Sequence, residues 1–249
     1  MEKRFWEIDF LRGIAIIMMI VFHFLFDLSY FGSYAVNVYS GFWWAFARAT
    51  ATVFILLVGI SLTLSYSRAI QKKTGKLGRK YLNRGLKIFA WGLIITVITW
   101  VFLSWGFIVF GILHLIGISI ILAYPFIKHR YRNLLLGIIF ISIGLYLGNF
   151  IFEFGWLFWL GFMPQNFYTL DYFPLFPWFG VSLIGIFLGN SLYKNYKRRF
   201  RLRDLSGSPL MRLFCFLGRR SLLIYLIHQP ILIALLYLFG VADIGLLFF

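Results

Sequence analysis

The sequence is poor in charge, in acidic residues and in cysteine. Only 13% of its 249 residues are charged, eight are Asp or Glu, and one is a cysteine, Cys215. Soluble domains carry about 25% charged residues, so this scarcity excludes an ordinary water-soluble enzyme and a disordered tail. A single cysteine excludes an internal disulfide scaffold. The four histidines and the cysteine lack the spacing of a metal site, so no metal is expected.

What the sequence has instead is apolar surface. Apolar residues make up 61% of the chain and aromatic residues 22%. A fold of this size cannot hide so much apolar surface from water. The composition therefore predicts an all-α, polytopic transmembrane helix bundle in the cell membrane, with membrane lipids as partners. Since no repeat, linker or low-complexity tract interrupts the chain, we expect a single transmembrane domain over residues 1–249.

A transmembrane helix needs about 20 mostly apolar residues, and seven stretches meet this requirement. They are residues 8–30, 43–67, two crossings within 88–127, 133–152, 172–193 and 221–241. Ser104-Trp105-Gly106 is the predicted turn inside the long stretch. The aromatic stretch 154–173 is interpreted as interfacial or re-entrant, because its apolar part before Pro164 is only about ten residues long.

The basic residues predict the orientation of the spans. Lys and Arg number 24 against eight Asp and Glu, for a net charge of +16. Seven spans with the N-terminus inside and the C-terminus outside place 23 of the 24 basic residues on the cytoplasmic side, in agreement with the positive-inside rule. Because the positive-inside rule accounts for the excess of basic residues, nucleic acid is not expected as a partner. Arg48 is the exception, and beside Trp43 and Trp44 it either reaches the outer interface or binds an anion there.

Polar residues at membrane depth are costly, so those in the first span are candidates for function. At 100° per residue, Asp9, Arg12, His23, Asp27 and Tyr30 share one stripe of the helix. Asp27 follows His23 by four residues, close enough to accept a hydrogen bond from its ring. A histidine oriented by a carboxylate suits a general base. The alternative is that this pair only joins neighbouring helices.

The last span carries a second polar stripe. Ser221, Tyr225 and His228 lie within about 60° of one another on a helix. Pro230 is predicted to kink this helix and to free the carbonyl of Leu226 beside His228. Such a stripe suits a site, but kinked packing helices are also common, and the sequence leaves both interpretations open.

Five further residues are weaker candidates. His114, near the outer end of the fourth span, is more often a packing residue than a catalytic one. Asp171 and Trp178 lie at the outer mouth of the sixth span, where the alternative is a rigid helix start. Arg219 and Arg220, at the inner end of the last span, are the basic residues best placed to point into the bundle.

Four blocks of the sequence, in order along nearly the whole chain, carry a family resemblance. They are Arg4 with Ile8–Ala15, His23 and Asp27, then Gly111–Gly117, Asp171–Gly180 and Phe216–Pro230. Together they resemble the heparan-alpha-glucosaminide N-acetyltransferase catalytic-domain family of membrane sugar acyltransferases. The chain is much shorter than the lysosomal enzyme of that family, so the resemblance implies the reaction type and not the heparan substrate.

The resemblance implies an enzyme that takes an acetyl group from cytosolic acetyl-CoA, its co-substrate. The acceptor is an amino or hydroxyl group of an extracytoplasmic sugar or glycolipid, and a histidine acts as base or as transient acyl carrier. The expected catalytic residues are His23, Asp27 and His228. The expected CoA-binding residues are Asp9, Arg12, Arg219 and Arg220. The expected acceptor-binding residues are Arg48, His114, Asp171, Trp178 and Tyr225. Association of two copies is left open.

Two other functions compete with acetyl transfer. A transporter or flippase would use the His23–Asp27 pair for proton coupling, but transporters often contain repeated halves, and none is found here. A membrane scaffold would bind partners without catalysis and would tolerate substitution of both residues.

Overall fold

The computed structural model describes residues 4–31, 34, 36–103 and 105–241. Of the described residues, 71% are helical. Eight α-helices and a two-stranded hairpin lie within the described residues. The elements are α1 (Trp6–Phe31), α2 (Gly41–Gln71), α3 (Leu77–Phe102), α4 (Ile112–Ala123), α5 (Arg130–Leu147), α6 (Leu175–Leu192), β1 (Tyr193–Lys194), β2 (Lys197–Arg198), α7 (Pro209–Arg219) and α8 (Ser221–Leu238).

The predicted all-α membrane fold is confirmed. Six helices among the described residues are long and apolar enough to cross a membrane, namely α1, α2, α3, α5, α6 and α8. The fourth predicted crossing, the second within residues 88–127, is shorter: α4 and the 3-10 turn after it cover Ile112–Phe126, about 22 Å of helix against a hydrocarbon core of about 30 Å. The predicted sides of the two chain ends stay predictions, and residues 242–249 lie outside the described part.

Two predicted non-helical connections agree with the structure, whereas α3 begins at Leu77, eleven residues before the predicted start at residue 88. Leu103 and residues 105–109, around the predicted turn, are not helical, and Ser104 lies outside the described residues. Residues 154–173 are all described, and their only helical segment is the 3-10 turn Phe158–Leu160. No helix crosses the membrane there, as expected for an interfacial or re-entrant segment.

Helix α7 is missing from the predicted elements. It begins with Pro209 at its first position after Ser208, a common start for a helix. Its buried residues, Cys215 and Gly218, are three apart and therefore lie on one face. The Ser-Pro pair and this spacing were the available signals, but the dense positive charge of residues 194–220 indicated a loop.

The chain divides into two compact units. Residues 1–54 with 202–249 form the first, and residues 55–201 form the second. In the first unit, α1 packs against α7 and α8. In the second, α3 pairs with α4 and α5 pairs with α6.

Small residues allow helix backbones to touch in each unit, as is typical of membrane helices. In the first unit, a methyl group on Gly218 would overlap the carbonyl oxygen of Asp9, and one on Gly13 would overlap that of Phe214. In the second, Gly85 of α3 lies against Gly117 of α4. Each of these contacts would be lost if a side chain were added.

Candidate active site

Two histidines from opposite ends of the sequence meet in the first unit. His23 lies late in α1 and His228 in the middle of α8. Their ring centroids are 4.8 Å apart, and the ring planes are inclined by 68°. His228 is buried and His23 is half-buried. The structure therefore brings together two of the three predicted catalytic residues.

The tautomer of neutral His228 follows from its backbone contact. The ring Nδ1 lies 2.7 Å from the carbonyl oxygen of Tyr225. Since a carbonyl oxygen only accepts hydrogen bonds, the ring proton is on Nδ1, and Nε2 carries a lone pair. That Nε2 is buried and has no hydrogen-bond partner among the described residues. A lone pair held in this way can accept a proton or attack a carbonyl carbon.

Asp27 does not orient His23, and the predicted hydrogen bond between them is wrong. Its Oδ1 accepts a hydrogen bond of 2.5 Å from Nε2 of Gln229 on α8. The spacing along α1 brings Asp27 near the ring, but Gln229 supplies an amide donor from the facing helix. The transporter alternative, which would use the same two residues for proton coupling, stays untested by this contact.

The Asp27 carboxylate is only half satisfied. Asp27 is 0% exposed, and its Oδ2 has no partner in the described part of the chain. The same holds for Oε1 of Gln229. Buried polar atoms are normally paired, so two unsatisfied atoms at one helix contact make this contact a candidate for binding a polar group. Sequence reasoning missed Gln229, although an amide at membrane depth beside His228 was a usable signal.

The predicted stripe on α1 is correct in part. Asp9 and Asp27 are buried, and Arg12 and His23 are half-buried. Tyr30 departs from the stripe, because it is 38% exposed and its ring stacks on Phe26 with centroids 5.6 Å apart. The helical periodicity predicts which side chains share a face of α1, but the packing of neighbouring helices determines which of these side chains are buried.

Arg12 is engaged in fastening α1 to α7. Its Nη1 donates to Oδ1 of Asp9 at 3.2 Å and to the carbonyl oxygen of Gly218 at 3.4 Å. Nε of Arg4 lies 3.4 Å from Oδ2 of Asp9. Asp9 thus balances two guanidinium groups in a half-buried network at one end of α1.

Arg219 and Arg220 do not point into the bundle, contrary to prediction. Both side chains are exposed. The reason is the register of α7, which turns Cys215 and Gly218 towards α1 and leaves the next residues outside. The two guanidinium groups stand at the start of α8, available to solvent or lipid.

His114 lies in the second unit, where neighbouring residues bind both nitrogens of its ring and pack against its face. Its Nδ1 accepts the backbone N–H of Gly111 at 3.2 Å, and its Nε2 lies 3.4 Å from the hydroxyl of Thr96. The ring of Phe110 stacks on it with centroids 5.5 Å apart. Both ring nitrogens are therefore paired, as expected for a packing histidine. The ring also borders an open apolar cavity of about 410 Å³, lined by Phe89, Leu93, Val109, Phe110, Ile118, Phe158 and Trp159.

Asp171 caps the start of α4 from a distant segment. Its Oδ2 accepts the backbone N–H of Ile112 at 3.0 Å. Burial raises the pKa of this carboxyl to about 6, and the hydrogen bond from Ile112 partly opposes the rise. Trp178 is buried against Phe173, with ring centroids 4.9 Å apart. These contacts explain both residues as structural elements, the alternative that the sequence left open.

The two remaining candidates lie in the first unit. The guanidinium of Arg48 is 5.5 Å from the ring of Trp44, and the side chain is exposed. This cation–π contact agrees with an arginine that reaches the interface along an aromatic surface. The backbone carbonyl of Tyr225 accepts the hydrogen bond from His228, and the ring centroids of the two residues lie 5.6 Å apart. Helix α8 runs through Pro230 as one helix.

The fold and this histidine contact define a class, that of helical membrane proteins with a polar centre between spans. The model of the family described as "Heparan-alpha-glucosaminide N-acetyltransferase, catalytic" matches residues 4–230. The chain belongs to this family and is a membrane acyltransferase of the acetyltransferase type. Searches of curated proteins and of solved structures gave no match.

Proposed function

We propose that the protein transfers an acetyl group from cytosolic acetyl-CoA to an amino or hydroxyl group of an extracytoplasmic sugar or glycolipid, in the cell membrane. The observation that carries the proposal is the lone pair on Nε2 of His228, buried on α8 and facing no hydrogen-bond donor among the described residues. Beside it, His23 of α1 supplies a second imidazole. The family supports the reaction type.

In a direct transfer, His228 acts as the general base. Its Nε2 takes the proton of the acceptor N–H or O–H while the acceptor atom attacks the thioester carbonyl carbon. The new C–N or C–O bond forms, the C–S bond breaks, and the proton passes from His228 to the leaving sulfur. The His23 ring, whose centroid lies 4.8 Å from that of His228, supplies an N–H for the oxyanion that develops during attack.

In a two-step transfer, Nε2 of His228 itself attacks the thioester carbon. The C–S bond breaks, and CoA leaves as the thiolate, which takes a proton from water. The acetyl group resides on the imidazole until the acceptor atom attacks its carbonyl carbon, the bond to Nε2 breaks, and the acceptor's proton passes to water. Both routes use the same nitrogen atom. They differ in kinetics, because only the second gives a ping-pong pattern and an acetylated enzyme in the absence of acceptor.

Positive charge for the CoA phosphates is available at the start of α8. Arg219 and Arg220 are exposed there, and eight helical residues, about 12 Å of axis, separate Arg220 from His228. An extended pantetheine arm covers such a distance. In this arrangement the phosphates stay at the membrane surface while the thioester reaches the histidine pair.

The test uses the purified protein in lipid nanodiscs with acetyl-CoA and a panel of amino sugars and sugar alcohols. CoA thiol release and product mass are measured. We expect transfer with the native protein and a loss of about 10²–10⁴-fold in rate for His228→Ala, the usual contribution of a general base. His129→Ala is the matched control, because His129 is exposed and outside the first unit. Equal rates for the two variants would refute the role of His228.

A further inference from the structure

Three buried hydrogen-bond acceptors lie along the contact between α1 and α8. His23 and Asp27 are one turn apart on α1, about 6 Å along its axis, and they contact the consecutive residues His228 and Gln229 of α8. The buried atoms without a partner among the described residues are Oδ2 of Asp27, Nε2 of His228 and Oε1 of Gln229. The proposed acetyl transfer uses only the nitrogen, so the two oxygens are left without a role.

The hydrogen bond between Asp27 and Gln229 determines the character of both oxygens. A carboxylate oxygen only accepts hydrogen bonds, so the Gln229 amide turns its Nε2 donor towards Oδ1 of Asp27. This orientation leaves the amide oxygen Oε1 and the carboxylate oxygen Oδ2 as the unpaired atoms in this part of the described chain. Both are acceptors, and they belong to groups that one hydrogen bond joins. One small ligand with two donors can therefore engage both oxygens.

Packing alone does not account for this polar pair. Further along the same contact, Phe31 of α1 and Leu236 of α8 are buried together, and Leu28 and Ile233 pack against them. Apolar side chains are thus sufficient to join the two helices there. A carboxylate at 0% exposure costs free energy at membrane depth. A costly polar pair beside an apolar contact indicates a binding site.

We propose that the Asp27–Gln229 pair binds hydroxyl groups of the acceptor sugar. The proposal rests on the proposed acetyl transfer, which places the reacting group of the acceptor at Nε2 of His228. The other substituents of the same sugar ring then face the adjoining Gln229 and its partner Asp27, and most of these substituents are hydroxyl groups. Two acceptor oxygens require two donors, and neighbouring hydroxyls of one ring supply them. The pair positions the acceptor and takes no part in the making of bonds.

This arrangement makes the hydroxyl groups a requirement for binding. A hydroxyl that donates to a carboxylate forms a charge-assisted hydrogen bond. A ligand without that hydroxyl leaves a buried acceptor unpaired, which is the physical basis of strong discrimination between substrates. His23 and Gln229 are half-buried and lie at the edge of the contact. Since partly exposed side chains change rotamer within nanoseconds, the acceptor reaches the oxygens behind them.

The test compares glucosamine with its 3-, 4- and 6-deoxy analogues, each of which lacks one hydroxyl and keeps the amine. The full-length protein is studied in lipid nanodiscs, and CoA thiol release gives kcat/KM for each sugar. Saturation-transfer NMR without acetyl-CoA gives the affinity for the same sugars. The binding measurement also tests the site in a protein that transfers no acetyl group.

The double variant Asp27→Leu/Gln229→Met removes both oxygens together with the donor between them. Ser182→Ala is the matched control, because it removes a buried hydroxyl of α6 that also has no partner among the described residues and lies outside the first unit. If the double variant lacks a thermal unfolding transition, Gln229→Asn replaces it, since this change keeps the amide and withdraws it by one carbon–carbon bond.

We expect the native protein and Ser182→Ala to prefer glucosamine over at least one deoxy analogue by about tenfold or more, the effect of one lost charge-assisted hydrogen bond. In the double variant this ratio should fall below about twofold, because the hydroxyl then has no partner at the pair. A pair that only supports the fold, binds water or binds the ammonium group would affect all the sugars equally. Ratios that the double variant leaves unchanged would therefore overturn the proposal.

The two measurements separate this proposal from the proposed transfer. Binding that depends on a hydroxyl and on the pair, without transfer by the native protein, would refute acetyl transfer and retain the site. Transfer by the native protein at equal rates to all the sugars would refute the site and retain acetyl transfer. Neither binding nor transfer would overturn both.

Discussion

His23 on α1 and His228 on α8 meet edge to face, with ring centroids 4.8 Å apart. This contact allows two roles for His23, either as a hydrogen-bond donor to the oxyanion or as a packing residue, and two variants distinguish them. His23→Phe keeps a ring edge against His228 but removes the N–H groups, whereas His23→Ala removes both. If His23 donates to the oxyanion, both variants should lose about 10²-fold or more in acetyl transfer. CoA thiol release measures the rates, and near-native transfer by His23→Phe would reduce His23 to a packing residue.

The Asp27–Gln229 hydrogen bond is expected to separate stability from activity. Gln229→Met should destabilise the protein by about 1–3 kcal/mol, because it leaves the Asp27 carboxylate buried without its donor. Asp27→Leu/Gln229→Met should recover much of that loss, since an apolar pair needs no hydrogen bond. Thermal unfolding in detergent measures stability. Acetyl transfer should remain low in both variants, and full activity of the stable double variant would show that the polar pair has no part in the reaction.

The α1–α7 contact should not tolerate a side chain at Gly218. A methyl group there overlaps the carbonyl oxygen of Asp9, so Gly218→Ala forces the helices apart. We expect a loss of about 1–3 kcal/mol or more in the free energy of unfolding, the usual cost of overpacking. Gly207→Ala is the matched control, because nothing lies within 4 Å of the added carbon. Equal unfolding temperatures for the two variants would argue against the close approach.

Asp171 predicts a specific dependence of stability on pH. Its pKa is raised from 3.8 to about 6 in the folded protein by burial. Below pH 3.8 the carboxyl is protonated in both the folded and the unfolded state, so burial of the ionised form does not reduce the free energy of unfolding. Between 3.8 and about 6 the unfolded chain ionises first, so stability falls as pH rises, and above about 6 the loss is complete.

The variant Asp171→Asn isolates this effect. An asparagine oxygen can still accept the N–H of Ile112, but it does not ionise. We therefore expect the difference in unfolding temperature between Asp171→Asn and the native protein to shift in favour of the variant as pH rises from 4 to 7. A difference that stays constant over this range would contradict the assigned pKa.

The sequence predicted more of the fold than of the site. Long apolar stretches specify membrane helices by composition alone, because the bilayer sets one length for all of them. Helix α7 was not predicted in this way, because its stability depends on the face that it buries against α1 and not on its overall hydropathy. Among site residues, His23 and His228 were found as costly polar groups at membrane depth. Gln229 was missed because its importance comes from Asp27 on another helix.

The amino-acid composition and the order of apolar stretches were enough to establish a helical membrane protein and, through four short motifs, its acetyltransferase-type family. Helix periodicity placed the polar residues of α1 on one face. The pairing of those residues needed three dimensions: Asp27 binds Gln229 instead of His23, and the Tyr225 carbonyl fixes the proton of His228. The physical reason is that a hydrogen bond depends on distances of a few tenths of an ångström between helices far apart in sequence, which periodicity along one helix does not encode.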